Sequence, residues 1–233
     1  MSNLAIDLHV HTTSGSADAS LRVDRLGPAA LAAGLSGVMV TEHFRQWTDA
    51  EACAAALDLG IIIVPAREWS TPLGHILALG IVRNSPDMRD PARLRQAADD
   101  EGGFLIAAHP FRHFFDAPRQ GLHPASLRTN DPGEAAGLPI FTYVDAIEAI
   151  NGNCTARENA FAAAVADQLN FPVTAGSDAH YADDLGRCWT ILPAGVTRVK
   201  DVIEALRSRA QSLACVEGFG SGDWNSPAGD VGS

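Results

Sequence analysis

The sequence predicts an α/β protein whose strands form a distorted (β/α)7 barrel, similar to a TIM barrel. Short apolar segments alternate with helical segments from one end of the 233-residue chain to the other, as repeated β-α units do. Apolar residues make up 46% of the chain, which is enough for a substantial core. Because about seven strands are expected, a barrel is favoured over an open sheet.

The first half of the chain alternates strand and helix. Apolar runs of strand length occupy Leu4–Val10, Gly37–Thr41, Ile61–Glu68 and His75–Val82. Amphipathic spacing predicts helices at Arg22–Gly34 and Thr48–Leu59. A glycine ends each of these helices, which is the usual residue at that point.

The same alternation continues in the second half. Strands are expected at Phe104–Ala108, Ala146–Ile150, Pro172–Ala175 and Thr190–Leu192, and helices at Asp90–Glu101, Thr155–Leu169 and Val199–Arg209. Residues 1–217 are therefore predicted to form one domain. The stretch 111–143 is rich in Pro, Gly and polar residues and is predicted to be a lid or binding loop, and the Gly/Ser/Asp-rich tail 218–233 is predicted to be mobile.

The composition narrows the classes of function. A net charge of −11 disfavours long nucleic acid as a partner, because such a partner requires a basic face. The apolar runs are far too short to cross a bilayer, and the N-terminus lacks the pattern of a signal peptide. The four cysteines are scattered without a C-x-x-C pair, which favours reduced thiols. We therefore expect a cytoplasmic protein without a membrane partner, and no heptad marks an oligomer interface.

The first strand carries the strongest indication of chemistry. Alternation along a strand places Asp7, His9 and His11 on one face, opposite the apolar side chains. Two imidazoles two residues apart can bind one ion together, and a nearby carboxylate can orient one of the rings. An exposed polar edge is the alternative, but the first strand of a parallel sheet is rarely exposed. This strand is therefore interpreted as part of a metal site.

More histidines lie just past other predicted strands. Asp178 and His180 repeat the spacing of two, and His43 and His109 each follow a further strand. Residues at the carboxyl ends of barrel strands meet in one shared site. A helix N-cap at Asp178 is the structural alternative, and one histidine at a strand end is more often structural than a ligand. Histidines at several strand ends together favour a multi-metal centre.

The remaining candidates each have two interpretations. Glu68 can bridge two ions or form a surface salt bridge. Asp18 can reach a metal or cap the following helix. His75 can be a ligand only if a tight hairpin brings the start of its strand to the site. Glu148 and Asn151 can contact a bound ligand or form hydrogen bonds behind the metal ligands, and the second role is favoured.

In their order along the chain, these motifs resemble those of the PHP (polymerase and histidinol phosphatase) family. The match spans residues 4–193 and consists of Asp7-Leu8-His9-Val10-His11-Thr12, Thr41-Glu42-His43, Glu68, His75, His109-Pro110, Glu148 with Asn151, and Gly176-Ser177-Asp178-Ala179-His180. The resemblance implies a distorted β/α barrel with a centre of two or three divalent ions and phosphoester hydrolysis. The family commonly has aspartate where this chain has Glu42, and Asp18 lies slightly farther from His11 than in the family.

The resemblance also implies a set of site residues. The implied metal ligands are His9, His11, Glu68, His109, Asp178 and His180, with a third site completed by His43, His75 and Asp18. The ions are expected to be zinc, manganese or iron, all of which imidazole and carboxylate ligands accept. The candidate catalytic residues are His43, Asp178 and His180. Either His180 or His43 can protonate the leaving oxygen.

These residues predict a stand-alone, metal-dependent phosphoesterase, a hydrolase of a small phosphomonoester or phosphodiester such as a nucleotide, acting through metal-activated hydroxide. Four arginines are candidates to hold phosphate oxygens, although each is by default an ordinary surface or structural arginine: Arg45, Arg67, Arg112 and Arg187. Two alternatives stay open. The same centre can serve an amidohydrolase-like enzyme with a non-phosphate substrate, or a non-catalytic metal-binding or regulatory module.

Overall fold

The strands of the protein form one continuous sheet. The computed structural model describes residues 2–116, 129–217 and 219. Within these residues the strands are β1 (Leu4–Val10), β2 (Gly37–Val40), β3 (Ile62–Thr71), β4 (Gly74–Leu79), β5 (Phe104–Ala107), β6 (Ala146–Asn151), β7 (Val173–Gly176), β8 (Cys188–Leu192) and β9 (Ser212–Cys215). Their order in the sheet is β7-β6-β5-β4-β3-β2-β1-β8-β9.

Helices cover the outside of this sheet. They are α1 (Val23–Ala32), α2 (Asp49–Leu59), α3 (Pro91–Glu101), α4 (Pro132–Ala135), α5 (Ala156–Leu169) and α6 (Val199–Arg207). Thr48 and Thr155 begin α2 and α5 with capping boxes, in which side chain and backbone satisfy each other's free groups. Gly102 ends α3 in the left-handed conformation, where glycine avoids the steric cost of a Cβ.

The sheet curls until its first strand meets its seventh. His11 N donates to the Ala179 carbonyl oxygen at 2.9 Å, just past β7. The Thr190 hydroxyl accepts from Ala175 N and donates to the Ala175 carbonyl oxygen, both at 2.9 Å. These bonds nearly close the sheet into a barrel. The predicted class, a distorted α/β barrel, is therefore confirmed.

The number and direction of the strands differ from the expected seven parallel strands. Nine strands are present in the described residues. Of these, β4 runs antiparallel to β3 and β5, and β8 runs antiparallel to β1 and β9. Residues 72–73 alone separate β3 from β4, and parallel neighbours need a much longer crossover. The chain therefore forms a hairpin at this point.

Apolar side chains fill the interior of the barrel. Ile6 and Leu8 of β1 pack in one cluster with Val202 and Leu206 of α6, so α6 packs against the barrel core. Val10 belongs instead to the cluster that includes α1. The strict alternation expected along β1 is therefore wrong near its end, because the pairing of β1 with β2 shifts register just before Val10.

The predicted loop at 111–143 is only partly described. Residues 129–143 contain α4 and a single 3₁₀ turn at Pro139–Thr142. Residues 117–128 lie outside the described residues, as does the predicted tail except for residue 219. In the described part of the chain, no helix has the length and apolar character needed to span a membrane.

Candidate metal centre

All nine predicted ligands meet at one end of the barrel. They come from β1 or the loop after it (His9, His11, Asp18), from the loop after β2 (His43), from the β3–β4 hairpin (Glu68, His75) and from the segments after β5 and β7 (His109, Asp178, His180). The imidazoles of the first strand are fully buried, and Glu68 and Asp178 are 2% exposed. We call this set the ligand cluster.

Glu68 lies in the middle of the ligand cluster. Its Oε2 is 3.2 Å from both His11 Nε2 and His43 Nδ1. Its Oε1 is 2.7 Å from His75 Nδ1 and 3.1 Å from His109 Nε2. The burial of Glu68 excludes the surface salt bridge considered from the sequence. A carboxylate that faces four imidazoles has the arrangement needed to bridge two ions.

The tight hairpin between β3 and β4 explains the position of His75. Its ring lies beside the carboxylate of Glu68 even though it belongs to the start of a strand. Cross-strand pairing sets Ser70 opposite His75, two residues beyond Glu68. The sequence allows His75 to be a ligand only if a tight hairpin brings it to the site, and the structure has that hairpin.

Asp178 joins the cluster from the opposite side of the barrel. Its Oδ1 lies 3.4 Å from His9 Nε2 and 3.2 Å from His11 Nε2. Its Oδ2 accepts a hydrogen bond from Arg112 Nη2. The side chain is thus directed into the cluster, and no α-helix begins directly after Asp178, since the next element is a 3₁₀ turn at Ala182–Asp184. The alternative role of Asp178 as a helix cap is therefore wrong.

Two of the cluster residues have strained backbones. His109 has φ 30° and Asp178 has φ 54°, in the left-handed region that non-glycine residues rarely adopt. Such conformations cost roughly 1–3 kcal/mol each and concentrate at functional sites. Each lies two residues past the end of a strand, and each side chain reaches other members of the cluster.

Asp18 lies at the open edge of the cluster. Its Oδ2 is 3.3 Å from His43 Nε2 and 3.4 Å from His180 Nε2, and its side chain is 58% exposed. The structure therefore brings Asp18 to one histidine of the predicted third site, His43, and to His180 instead of His75. Within the ligand cluster, the ligand atoms of each of three sets lie within 4.8 Å of one another: His9, His11 and Asp178; His9, Glu68 and His109; and His11, His43 and His180.

Hydrogen bonds behind the cluster orient the imidazole rings. His9 Nδ1 donates to Glu148 Oε1 at 2.9 Å, and Glu148 Oε2 accepts from His109 N and from Asn151 Nδ2. Glu148 and Asn151 therefore take the positions behind the ligands that the sequence favours. With the proton held on Nδ1, the lone pair of His9 Nε2 faces the centre, as a metal ligand requires.

A second chain of hydrogen bonds orients further imidazole rings, and no sequence pattern indicates it. His11 Nδ1 lies 3.2 Å from Ser16 Oγ, which donates to Glu42 Oε2 at 2.6 Å. His180 Nδ1 donates to the Asp178 carbonyl oxygen at 2.9 Å. Ser16 lies in an irregular loop whose path no local pattern predicts. Glu42 therefore orients the His11 ring indirectly, through the hydroxyl group of Ser16.

The buried carboxylates of the ligand cluster favour positive charge at its centre. Burial lowers the pKa of His9, but the carboxylates of Glu148, Asp178 and Glu68 outweigh burial and hold this pKa well above its ordinary value. Burial raises the pKa of Glu68 and Asp178, but the imidazoles outweigh it and hold both well below their usual range. A divalent cation supplies the same charge. The mixed imidazole and carboxylate donors therefore fit zinc, manganese or iron.

The four candidate arginines lie in different surroundings. Arg112 donates to Asp178 and, at 2.8 Å, to Asn151 Oδ1. Arg67 lines a cavity beside His43. The other two form ion pairs away from the ligands: Arg45 with Glu51 at 2.6 Å and Arg187 with Asp184 at 2.7 Å. The structure therefore brings Arg112 and Arg67 to the site, and it engages Arg45 and Arg187 elsewhere.

The fold and the ligand cluster together define a β/α barrel with a candidate metal-binding centre. Comparisons with known proteins agree with this class. A model of the PHP-associated family matches residues 156–210, and no curated protein matches the chain.

Several solved structures share the fold. A two-domain protein from Bacteroides vulgatus, containing a predicted PHP-like metal-dependent phosphoesterase, is 20% identical with a TM-score of 0.67 over 91% of this chain and 65% of its own. An amidohydrolase from Chromobacterium violaceum with bound sulfate is 18% identical with a TM-score of 0.56 over 90% and 97%. A lesion-specific endonuclease from Pyrococcus furiosus is 13% identical with a TM-score of 0.57 over 91% and 57%.

These matches confirm the resemblance to the PHP family that the motifs predict. The family model supplies sequence evidence over one segment, and the solved structures supply the fold. The chain spans less than two thirds of the Bacteroides protein, at 65%. The three structures also carry different activities in their names, so the fold by itself does not identify a substrate.

Proposed function

We propose that this protein is a metal-dependent phosphoesterase that hydrolyses a small phosphomonoester or phosphodiester, such as a nucleotide. The observation that carries the proposal is the ligand cluster around Glu68, in which buried imidazoles and carboxylates converge within hydrogen-bond distance. A buried cluster of this kind is costly to fold unless cations neutralise it. The names of the phosphoesterase and endonuclease neighbours support phosphoester chemistry.

The cluster provides positions for two or three ions. When bound, divalent ions polarise the phosphoryl group and lower the pKa of water at the site. His9, His11, Glu68 and Asp178 would hold ions in the buried part of the cluster. The third position, at the open edge, would use His43, His180 and Asp18, and the contacts of Asp18 with both histidines support this assignment.

Arg112 is proposed to bind the reacting phosphoryl group. Its guanidinium already contacts Asp178 and is held by Asn151 Oδ1, so a phosphoryl oxygen that enters beside Asp178 meets a fixed donor. Charge-assisted bonds from a guanidinium strengthen as negative charge develops on the phosphoryl oxygens. The contribution of Arg112 is therefore larger in the transition state than in the ground state.

In the form of the centre with two ions, in which His180 binds no metal, His180 is proposed as the group that protonates the leaving oxygen. Its Nδ1 is held by the Asp178 carbonyl oxygen, so Nε2 is the atom that exchanges a proton, next to Asp18. The competing candidate is His43, but burial lowers the pKa of His43. A lowered pKa leaves that ring neutral and without a proton to donate.

A metal analysis combined with an activity assay tests the proposal. We expect two or three equivalents of Zn, Mn or Fe per chain, with phosphoesterase activity that chelation abolishes and added metal restores. His9→Ala should lose both metal and activity. His113→Ala is the matched control, because that exposed imidazole pairs with Asp116 outside the cluster.

The same assay separates the alternatives. A protein that remains active after complete removal of metal would contradict the proposed mechanism. Hydrolysis of lactones or amides without hydrolysis of phosphoesters would instead support an amidohydrolase, as one structural neighbour is named. A fully loaded protein that hydrolyses none of these would support a regulatory module. The proposed location is the cytoplasm, in line with the four free cysteines.

A further inference from the structure

A cavity of about 240 Å³ opens beside the ligand cluster. It is lined by Asp18, His43 and His75 of the cluster and by Phe44, Arg67, Trp69, Ser70 and Arg89. Pockets that hold a whole small molecule usually measure roughly 300–1,000 Å³. The size and position of the cavity therefore suit one part of a substrate whose reacting group lies at the cluster.

Arg67 is a buried cation in the wall of this cavity. Its residue is 7% exposed, and its guanidinium lies over the Trp69 ring at 3.6 Å. Nη2 donates to the His43 carbonyl oxygen at 3.0 Å, and Nη1 donates to Asn84 Oδ1. Both acceptors are neutral. Among the described residues, the buried Nε of Arg67 has no hydrogen-bond partner.

A second cation lines the same cavity. Arg89 ends a 3₁₀ turn and is exposed. Within residues 2–116 and 129–217, neither Arg67 nor Arg89 forms an ion pair with a carboxylate, whereas many of the other arginines do. Two neighbouring cations without a paired carboxylate repel each other, and an anionic ligand relieves that repulsion.

The reacting phosphoryl group already has its own arginine. Arg112 contacts Asp178, whereas Arg67 reaches the carbonyl oxygen of His43 on another strand end. The side chain of Phe44 is exposed at the cavity and offers an aromatic face to the carbon skeleton between two anionic groups. The two arginine positions therefore serve two different groups.

We infer that Arg67 and Arg89 form a subsite for a second anionic group, so that the substrate is a phosphoester that carries a further phosphate or carboxylate. The inference rests on the proposed function, because the ligand cluster takes the reacting phosphoryl group. The planar fork of arginine suits both phosphate and carboxylate oxygens. The subsite determines specificity and does not take part in bond cleavage.

Binding of two phosphonates to the metal-loaded protein tests the subsite without any turnover. Phenylphosphonate has one anionic group, and meta-phenylene bisphosphonate has two. By calorimetry, we expect the wild type to bind the bisphosphonate at least about tenfold more tightly, because bonds between charged groups contribute that much. Arg67→Gln and Arg89→Gln should each bring this ratio close to one.

Arg83→Gln is the matched control, since this exposed arginine pairs with Asp100 away from the cavity, and it should keep the wild-type ratio. A ratio near one in the wild type would overturn the inference. A ratio that Arg89→Gln leaves unchanged would also overturn it. Because Arg89 is exposed, the Arg89→Gln variant keeps the test valid even if Arg67→Gln does not fold. If the ratio behaves as expected but no phosphoester is hydrolysed, the subsite stands and the proposed function fails.

Discussion

Replacing Glu148 by glutamine tests whether a carboxylate behind the cluster controls metal binding. Glu148 is 2% exposed. Its Oε1 accepts from His9 Nδ1 at 2.9 Å, and its Oε2 accepts from His109 N at 2.8 Å and from Asn151 Nδ2 at 3.0 Å. Glutamine has nearly the same shape but offers only one acceptor oxygen. Whichever way the amide turns, its NH₂ group faces a donor.

The structure sets the expected size of the effect. Loss of the partner that orients a ligating imidazole typically costs roughly 10–100-fold in metal affinity, which corresponds to about 1.4–2.7 kcal/mol. The opposed donors add a folding cost of about 1–3 kcal/mol, since a buried group loses its partner. Glu148→Gln should therefore bind metal more weakly and should also melt at a lower temperature.

The assay is competition for metal with a chelator of known affinity, followed by thermal unfolding of the metal-free protein. Glu158→Gln is the matched control. Glu158 is also buried and accepts from two backbone N–H groups, His113 N at 2.6 Å and Thr155 N at 2.8 Å, but it contacts no member of the ligand cluster. This variant should lower the melting temperature and leave metal affinity at the wild-type value.

Two results would refute the reasoning about Glu148. The first is a metal affinity within about twofold of the wild type, since loss of an orienting partner typically costs much more. That result would show that the Glu148 carboxylate does not orient His9 for metal binding. An equal loss of affinity in Glu148→Gln and Glu158→Gln would show that the loss follows from general destabilisation.

Three further predictions follow from the same region. Asp7→Ala should lower the free energy of unfolding by about 2–4 kcal/mol in urea titrations, because the buried N–H groups of Ser177 and Gly186 lose their acceptor; a loss below about 1 kcal/mol would contradict this. Gly176→Ala should lower metal content, because the added Cβ would lie 2.5 Å from the His9 Cβ; a variant with the full wild-type content would show that the strand shifts without moving the ring. Metal affinity should fall as the pH is lowered, by roughly tenfold per pH unit for each proton displaced, because the carboxylates hold a proton on His9 and raise its pKa; a chelator titration independent of pH would contradict this.

Local sequence patterns were enough to predict which side chains gather at the barrel mouth. His9 and His11, like Asp178 and His180, are two residues apart at strand ends, and a strand of either direction would bring such a pair to one place. The class of fold was predictable for a similar reason, since alternating apolar runs and capped helices are properties of short segments.

Long-range geometry was not predictable in this way. The direction of β4 depends on a two-residue connection, and a helix-like or strand-like period does not encode it. The contact between His11 and Ser16 depends on the path of an irregular loop. Likewise, Arg67 and Arg89 are far apart in sequence and meet only because the 3₁₀ turn after β4 folds back over the cavity.

The β3–β4 hairpin has a consequence for how such an enzyme can change. Glu68 and His75 are carried by one rigid unit, whose turn consists of residues 72–73. A deletion or insertion of one residue there would reverse which face of β4 points inward, and the imidazole would leave the cluster. Loops elsewhere on the barrel can gain or lose residues and so acquire new substrates, whereas the length of this turn is under constraint. Among homologues, we expect variation in the length of the other connections and almost none at this one.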